Sequence, residues 1–195
     1  MRVGLTGGIG SGKSEVARIL GEFGAYIIDT DTLAREAVAP YSDGLMQIAR
    51  VWPQVVRNNV LDRAALGEIV FSDPEARTRL NAIVHPHVRR LALERERLAA
   101  PGQIVVHVVP LLFETNYLEE IEKSVLVVAP DEMRIERITT RDGLSAAQVR
   151  ARMAAQISPA QARARADYVI ENDADLATLR ERTRAVFDRI VGKQA

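Results

Sequence analysis

Cysteine is absent from this sequence of 195 residues, and aromatic residues make up only 5% of it. The lack of cysteine excludes disulfides and thiolate metal sites and fits a reducing compartment. No stretch approaches the roughly 18 uncharged apolar residues of a membrane span. The opening residues, MRVGLTGG, also lack the apolar region of a secretory signal. We therefore expect a cytoplasmic protein that has no membrane partner.

An excess of charge of either sign is missing as well, because 26 Lys and Arg balance 26 Asp and Glu. A neutral protein has no global field that attracts nucleic acid, and few aromatic side chains are available to stack on bases. We therefore expect no nucleic-acid partner, whereas the oligomeric state stays open. The hydrophobic fraction of 47% is enough for a sizeable core in one domain.

Short apolar runs alternate with helical patterns, which predicts an α/β fold with a parallel five-stranded sheet flanked by helices. Helices are expected to begin at Asp73-Pro74, at the capping box Ser145–Gln148 and at Ser158-Pro159. Asp131 and Asp175 are expected to open two more. Residues 41–100 contain no convincing strand, so they predict a helical subdomain. The predicted strands are Arg2–Thr6, Ala25–Asp29, Gln103–Val109, Ser124–Ala129 and Tyr168–Glu171.

The glycine-rich stretch GLTGGIGSGKS matches the phosphate-binding pattern G-x-x-x-x-G-K-[ST] from Gly7 to Ser14. It follows a predicted strand and opens a predicted helix over 13–23, which is the context that the pattern requires. Backbone N–H groups of Gly8, Gly10, Ser11 and Gly12 can surround phosphates at the amino end of the helix. Lys13 would reach the β- and γ-phosphates and Ser14 would bind Mg²⁺.

Other nucleotide-binding classes fit this sequence less well. No G-x-G-x-x-G occurs, which disfavours a dinucleotide site, and the D-x-x-G and N-K-x-D sequences of GTP switches are missing. Small-molecule kinases are therefore the functional class that the sequence favours. A kinase for another hydroxyl acceptor, and a non-catalytic nucleotide- or nucleic-acid-binding module, stay open as alternatives.

Candidate acceptor residues follow the second predicted strand and interrupt the helical stretch. Asp31 lies 18 residues after Lys13 and could accept the proton of an attacking hydroxyl, unless it or Asp29 caps the next helix. Arg35 is one turn further on and could bind a substrate phosphate or carboxylate. Proline disfavours helix in the residue before it, so His85, before Pro86, is expected at a helix break with its ring in a cleft.

Two further segments suggest substrate contacts. The apolar shelf Leu111–Glu114, which includes Phe113, follows the third predicted strand and suits a partly apolar acceptor. Arginine is concentrated between 134 and 165, in a region that we predict to be a lid whose cations neutralise a transferring phosphoryl group. A solvated helical face and a nucleic-acid patch are the other interpretations of this region. Its arginines are Arg134, Arg137, Arg141, Arg150, Arg152, Arg163 and Arg165.

Six stretches in order resemble one family, dephospho-CoA kinase: GLTGGIGSGKS, IDTDTLAREAV, LNAIVHPHV, VVPLLFE, RDGLSAAQVRARMAAQ and ADYVIEN. The resemblance implies a P-loop kinase fold with core, CoA-binding (about 41–100) and lid (about 134–165) regions. It also implies ATP-dependent phosphorylation of the ribose 3′-hydroxyl of dephospho-CoA, with Mg²⁺. Asp31 resembles the base, and Lys13 and Ser14 resemble the phosphate and Mg²⁺ contacts. Acceptor contacts would be Arg35, His85, Leu111, Phe113 and Glu114; nucleotide contacts would include Glu15 and Asn172; lid arginines would be Arg137, Arg141 and Arg152.

The sequence departs from the family pattern at two positions. Glu15 follows Ser14 where threonine is frequent, and an acid near phosphates is unfavourable unless it points outward from the helix. Arg134 stands where glutamine is common, so the resemblance assigns it no role.

Overall fold

The computed structural model describes residues 1–192, with the backbone alone at 116 and 118. In chain order the strands are β1 (Arg2–Thr6), β2 (Tyr26–Asp29), β3 (Val56–Arg57), β4 (Val60–Leu61), β5 (Val105–Val108), β6 (Lys123–Val128) and β7 (Tyr168–Glu171). The helices are α1 (Lys13–Glu22), α2 (Thr30–Glu36), α3 (Asp43–Val51), α4 (Arg63–Ser72), α5 (Pro74–Glu96), α6 (Asp131–Asp142), α7 (Ala146–Ala154), α8 (Pro159–Arg165) and α9 (Leu176–Val191).

The main sheet is parallel and has the strand order β2-β5-β1-β6-β7, which confirms the predicted fold class. The five predicted strands are present: β1 and β7 have the predicted bounds, and the ends of the other three differ by at most two residues. Because β1 pairs with both β5 and β6, it is the central strand. The loop after β1 therefore starts at the middle of the carboxyl edge, where ligands bind in sheets of this kind.

The core of this sheet region forms because apolar residues face both the strands and the covering helices. Val3 and Leu5 of β1 are buried against Val16 and Ile19 of α1, and Phe187 of α9 joins the same cluster. Burial of each such side chain contributes about 1.5–3 kcal/mol relative to exposure. The packing anchors α1, and with it the loop that precedes the helix.

The chain divides into two compact units, residues 1–28 with 99–195, and residues 29–98. The second unit contains α2 to α5, and the predicted helical subdomain of about 41–100 overlaps it and stays a prediction. Its core cluster includes Ile48, Trp52, Val55 and Leu66. Among residues 1–192, no helix is both long enough and apolar enough to cross a membrane.

The expectation that residues 41–100 contain no strand is wrong. β3 and β4 form a short antiparallel hairpin in which Val56 is opposite Leu61. Asn58 and Asn59, at its turn, have φ angles of 51° and 58°. Asparagine tolerates this left-handed conformation better than most residues, and paired positive φ angles are typical of tight hairpin turns.

The expectation of a helix break at His85 is also wrong, because α5 runs through Pro86 without interruption. An interior proline removes one helical hydrogen bond and costs about 3 kcal/mol. The helix persists because long flanks on both sides bury Ala76, Val88 and Leu91. Asp73 caps its start by accepting hydrogen bonds from Glu75 N and Ala76 N. The predicted capping box and the caps at Ser158 and Asp175 are confirmed as well.

Candidate active site

The glycine-rich loop joins β1 to α1 and has the backbone geometry that its glycines allow. Gly10 and Gly12 have φ angles of 76° and 91°, where other residues are strained. A Cβ on Gly12 would also lie 2.0 Å from Asn172 Nδ2. Gly12 has no side chain that could cap α1. The amino end of the helix is therefore suited to an anionic ligand.

Three successive carbonyl oxygens of this loop accept hydrogen bonds from side chains that are distant in sequence. Because each peptide group is planar, holding its carbonyl also fixes the direction of its N–H. The loop is therefore held in one shape by donors that follow β6 and β7. The donors are Arg134 Nε to Ile9 O at 2.9 Å, Arg137 Nη1 to Gly10 O at 3.2 Å and Asn172 Nδ2 to Ser11 O at 2.8 Å.

Ser14 and Glu15 lie in the first turn of α1 and have different surroundings. The Ser14 side chain is exposed, whereas the Glu15 carboxylate binds Arg18 with a closest distance of 2.6 Å. The hydrogen bond from Arg18 lowers the pKa of Glu15 below its usual value. Its negative charge is therefore engaged along the outer face of α1, and its predicted contact with nucleotide stays a prediction.

A cavity of about 380 Å³ lies beside the loop, within the first unit. Its walls include Gly8, Phe113, Glu114, Arg134 and Met153. The predicted shelf thus contributes two of its residues to this cavity, while Leu111 is 43% exposed. Phe113 is tied to α8, because Arg165 Nη1 donates to its carbonyl oxygen at 2.6 Å. The Glu114 carboxylate accepts a hydrogen bond from Ile157 N at 3.2 Å.

The second unit carries the other predicted acceptor residues. Asp29 is the cap of α2, since its carboxylate accepts hydrogen bonds from Asp31 N at 2.9 Å and Thr32 N at 3.2 Å. Asp31 does not take that role, and its side chain is exposed in the first turn. Arg35 is exposed one turn later. His85 is exposed on α5, and partial desolvation together with Arg89 lowers its pKa.

The predicted lid arginines differ in their exposure. Arg137 is half-buried and also donates to Asn172 O at 3.4 Å. Arg141, near the end of α6, is 69% exposed and binds Asp142 at 2.7 Å. Arg152 is exposed on α7. The hydrogen bond from Arg141, and to a smaller extent the charge of Arg152, lower the pKa of Asp142.

Sequence reasoning missed two residues that contact the loop. The sequence places Arg134 only among the arginines of the predicted lid region, and Gln156 is not among the candidate site residues. Gln156 Oε1 accepts a hydrogen bond from Ile9 N at 3.0 Å, and Arg134 holds the carbonyl of the same residue. The two residues lie 147 and 125 positions from Ile9, so no local signal could have found them.

Comparisons with known proteins agree with this geometry. A family model described as dephospho-CoA kinase matches residues 1–178. The dephospho-CoA kinase of Thermobifida fusca is 45% identical over 192 residues, covering 97% of this chain and 96% of that protein. A crystal structure from Thermus thermophilus has a TM-score of 0.85 at 41% identity and covers 97% of each chain. The dephospho-CoA kinase from Campylobacter jejuni has a TM-score of 0.74 at 26% identity, covering 100% of this chain and 98% of that one.

These similarities extend over nearly the whole chain and include the braced phosphate loop. The family model covers residues 1–178, and the relative at 45% identity covers 97% of this chain. This chain therefore belongs to the dephospho-CoA kinase family, enzymes that phosphorylate dephospho-CoA with ATP in the final step of coenzyme A biosynthesis.

Proposed function

We propose that the loop from Gly8 to Ser14 binds the phosphates of ATP and that Asp31 is the base that activates the 3′-hydroxyl of dephospho-CoA. The observation that carries the proposal is the loop after the central strand, with three peptide carbonyls held by buried or half-buried donors. A preorganised set of N–H groups stabilises charge on a transferring phosphoryl group without reorganising during the reaction.

Transfer is in line. The lone pair of the 3′-oxygen forms a bond to the γ-phosphorus, the bond from that phosphorus to the leaving oxygen of ADP breaks, and Asp31 takes the hydroxyl proton. Lys13 holds the β- and γ-phosphates as a point charge. Arg141, with Arg137 and Arg152, neutralises charge that develops on the equatorial oxygens.

Mg²⁺ fits the residues of this loop. The exposed Ser14 hydroxyl is an oxygen ligand, and Mg²⁺ takes few protein ligands, keeping waters and phosphate oxygens for the rest. In the described residues, no group of three or more His, Cys, Asp or Glu could hold a metal ion. When bound, Mg²⁺ would withdraw charge from the phosphates.

The remaining predicted residues serve the acceptor and the nucleotide base in this proposal. The region 41–100 binds the CoA moiety and the region 134–165 is the lid, in a cytoplasmic enzyme. Apolar and polar contacts from the shelf are supported by the cavity that Phe113 and Glu114 line. Acceptor contacts are Arg35, His85, Leu111, Phe113 and Glu114, and the nucleotide contacts outside the loop are Glu15 and Asn172.

A coupled assay of ADP release tests the proposal. Purified protein is given Mg-ATP with and without dephospho-CoA, and the product is identified by mass spectrometry with fragmentation of the ribose. Dependence of ADP release on dephospho-CoA, with phosphate on the 3′-oxygen, supports the proposal. ADP release that does not depend on dephospho-CoA would contradict the acceptor, and ATP binding without turnover would favour a non-catalytic module.

A further inference from the structure

Arg134 is a buried arginine, with its side chain only 8% exposed, at a position to which the family resemblance assigns no role of its own. Its Nε donates to Ile9 O at 2.9 Å. Its Nη1 donates to Asp131 Oδ1 at 3.1 Å, but that carboxylate is itself 61% exposed. Burying a guanidinium is unfavourable unless its donors are used. Burial of this cation beside the loop therefore has a desolvation cost that its hydrogen bonds must offset.

The loop approaches Arg134 closely at two of its glycines, Gly8 and Gly10. A Cβ on Gly8 would lie 2.6 Å from Arg134 Nη2, and a Cβ on Gly10 would lie 2.8 Å from the Arg134 carbonyl oxygen. Both the side chain and the backbone of Arg134 thus pack on the loop. Arg134 donates to the Ile9 carbonyl, whereas the next two carbonyls accept from Arg137, one turn later in α6, and from Asn172.

We propose that Arg134 is a positioning residue for ATP: its Nε–H holds the Ile9 carbonyl and so fixes the peptide between Ile9 and Gly10. The N–H of that peptide belongs to Gly10, within the stretch proposed to bind phosphates. Arg134 acts through the loop and contacts no reacting atom. The inference rests on the proposed role of the loop in ATP binding.

Three substitutions of Arg134 distinguish the effect of its hydrogen bond to Ile9 O from the effect of its positive charge. In glutamine, Nε2 follows Cδ, as Nε does in arginine, so Arg134→Gln keeps a donor at the same place and removes the charge. Arg134→Lys keeps the charge, but a methylene replaces the donor. Arg134→Met removes both at similar volume. Arg184→Met in α9 is the control for loss of a cation, because Arg184 contacts Phe23 and Asp188.

Steady-state kinetics provide the first test. We expect Arg134→Met and Arg134→Lys to lower kcat/KM for ATP by about 10- to 100-fold, the range expected when a buried acceptor loses its donor. KM for dephospho-CoA should change less than KM for ATP, although Arg134 also lines the cavity assigned to the acceptor. Arg134→Gln should stay close to wild type. The same kcat/KM for ATP in Arg134→Met as in wild type would overturn the proposal. So would activity retained by Arg134→Lys and lost by Arg134→Gln, because charge would then be the cause.

Hydrogen exchange provides a test that does not depend on turnover. Without nucleotide, amides 8–12 should exchange faster in Arg134→Met and Arg134→Lys than in Arg134→Gln, wild type or Arg184→Met. Unchanged exchange in all variants would overturn the proposal, even if activity falls. The glutamine and lysine variants give the comparison should the methionine variant not fold. Absence of turnover in the wild type would contradict the proposed function itself, which is a different result from any of these.

Discussion

The phosphate loop and the residues predicted to serve the acceptor and the lid differ in how firmly the fold holds them. Around the loop, Arg134 and Asn172 are buried and donate to loop carbonyls. Asp31, Arg35 and Arg141 are exposed. Preorganisation is useful where charge develops in every reaction cycle, whereas groups that close on a substrate must be able to move. Mutation of an exposed residue of the proposed site should therefore lower kcat without loss of stability, whereas mutation of a buried one should also lower the free energy of unfolding.

The largest effect is expected at an exposed residue. Asp31→Asn should lower kcat by about 10²- to 10⁴-fold, because it removes the proton acceptor. KM for ATP and the melting temperature should change little. Asp29→Asn is the matched control, since asparagine also caps helices well. Steady-state kinetics and thermal melting of both variants check this, and full activity of Asp31→Asn would remove the residue from its role.

Arg141 should give the next largest effect, again without loss of stability. Arg141→Met should lower kcat by about 10²-fold, because one cation facing the transition-state charge is lost. Its side chain is 69% exposed, so the free energy of unfolding should stay within about 0.5 kcal/mol of wild type. Urea unfolding and kinetics, with Arg184→Met as control, measure both quantities. A large loss of stability would show that Arg141 stabilises the fold and that the fall in kcat is not evidence for a catalytic role.

Asn172 should behave in the opposite way. Asn172→Ala leaves the buried Ser11 carbonyl without this donor, which should cost about 1–3 kcal/mol of unfolding free energy and raise KM for ATP. Asn172→Asp should be at least as harmful, because an acceptor replaces the donor. Urea unfolding is the direct measurement. A normal unfolding free energy with weakened ATP binding would mean that the hydrogen bond to Ser11 O contributes little to stability and that Asn172 acts through its proposed contact with nucleotide.

Asp167 is partly exposed, yet its carboxylate accepts several hydrogen bonds at the amino ends of β6 and β7, opposite the phosphate loop. Its carboxylate accepts from Ser124 N and Ser124 Oγ, both at 2.8 Å, and from Lys123 Nζ at 3.0 Å. Partial burial alone would raise its pKa, but these hydrogen bonds outweigh burial and hold the pKa of Asp167 below its usual value.

The smallest effect is therefore expected from Asp167→Asn, about 1 kcal/mol of unfolding free energy at neutral pH and no change in kcat. A depressed carboxyl pKa contributes stability above the unfolded-state value of about 3.9, and that stability disappears as the pH falls through the folded-state value. Wild type should thus lose more stability than the variant on acidification below about pH 4. Parallel curves for the two proteins in urea unfolding against pH would contradict this.

Local signals in the sequence were sufficient for much of the fold. The five strands, the capping box at Ser145 and the phosphate loop each depend on residues within a few positions of one another. Two predictions from local signals were wrong, one at the hairpin β3–β4 and one within α5. The Asn58-Asn59 turn was a readable hairpin signal that was missed, and Pro86 was given too much weight because packing on both sides of it outweighed its local cost.

Local sequence alone specifies that a phosphate loop joins a strand to a helix, because glycine and lysine at this spacing meet a local backbone requirement. Which side chains hold that loop depends on contacts between residues that are distant in sequence. Ile9 meets Arg134, and Ser11 meets Asn172, across 125 and 161 positions of chain. Such contacts depend on the order in which strands pair in the sheet. That order results from burial of the whole core, and no single segment encodes it.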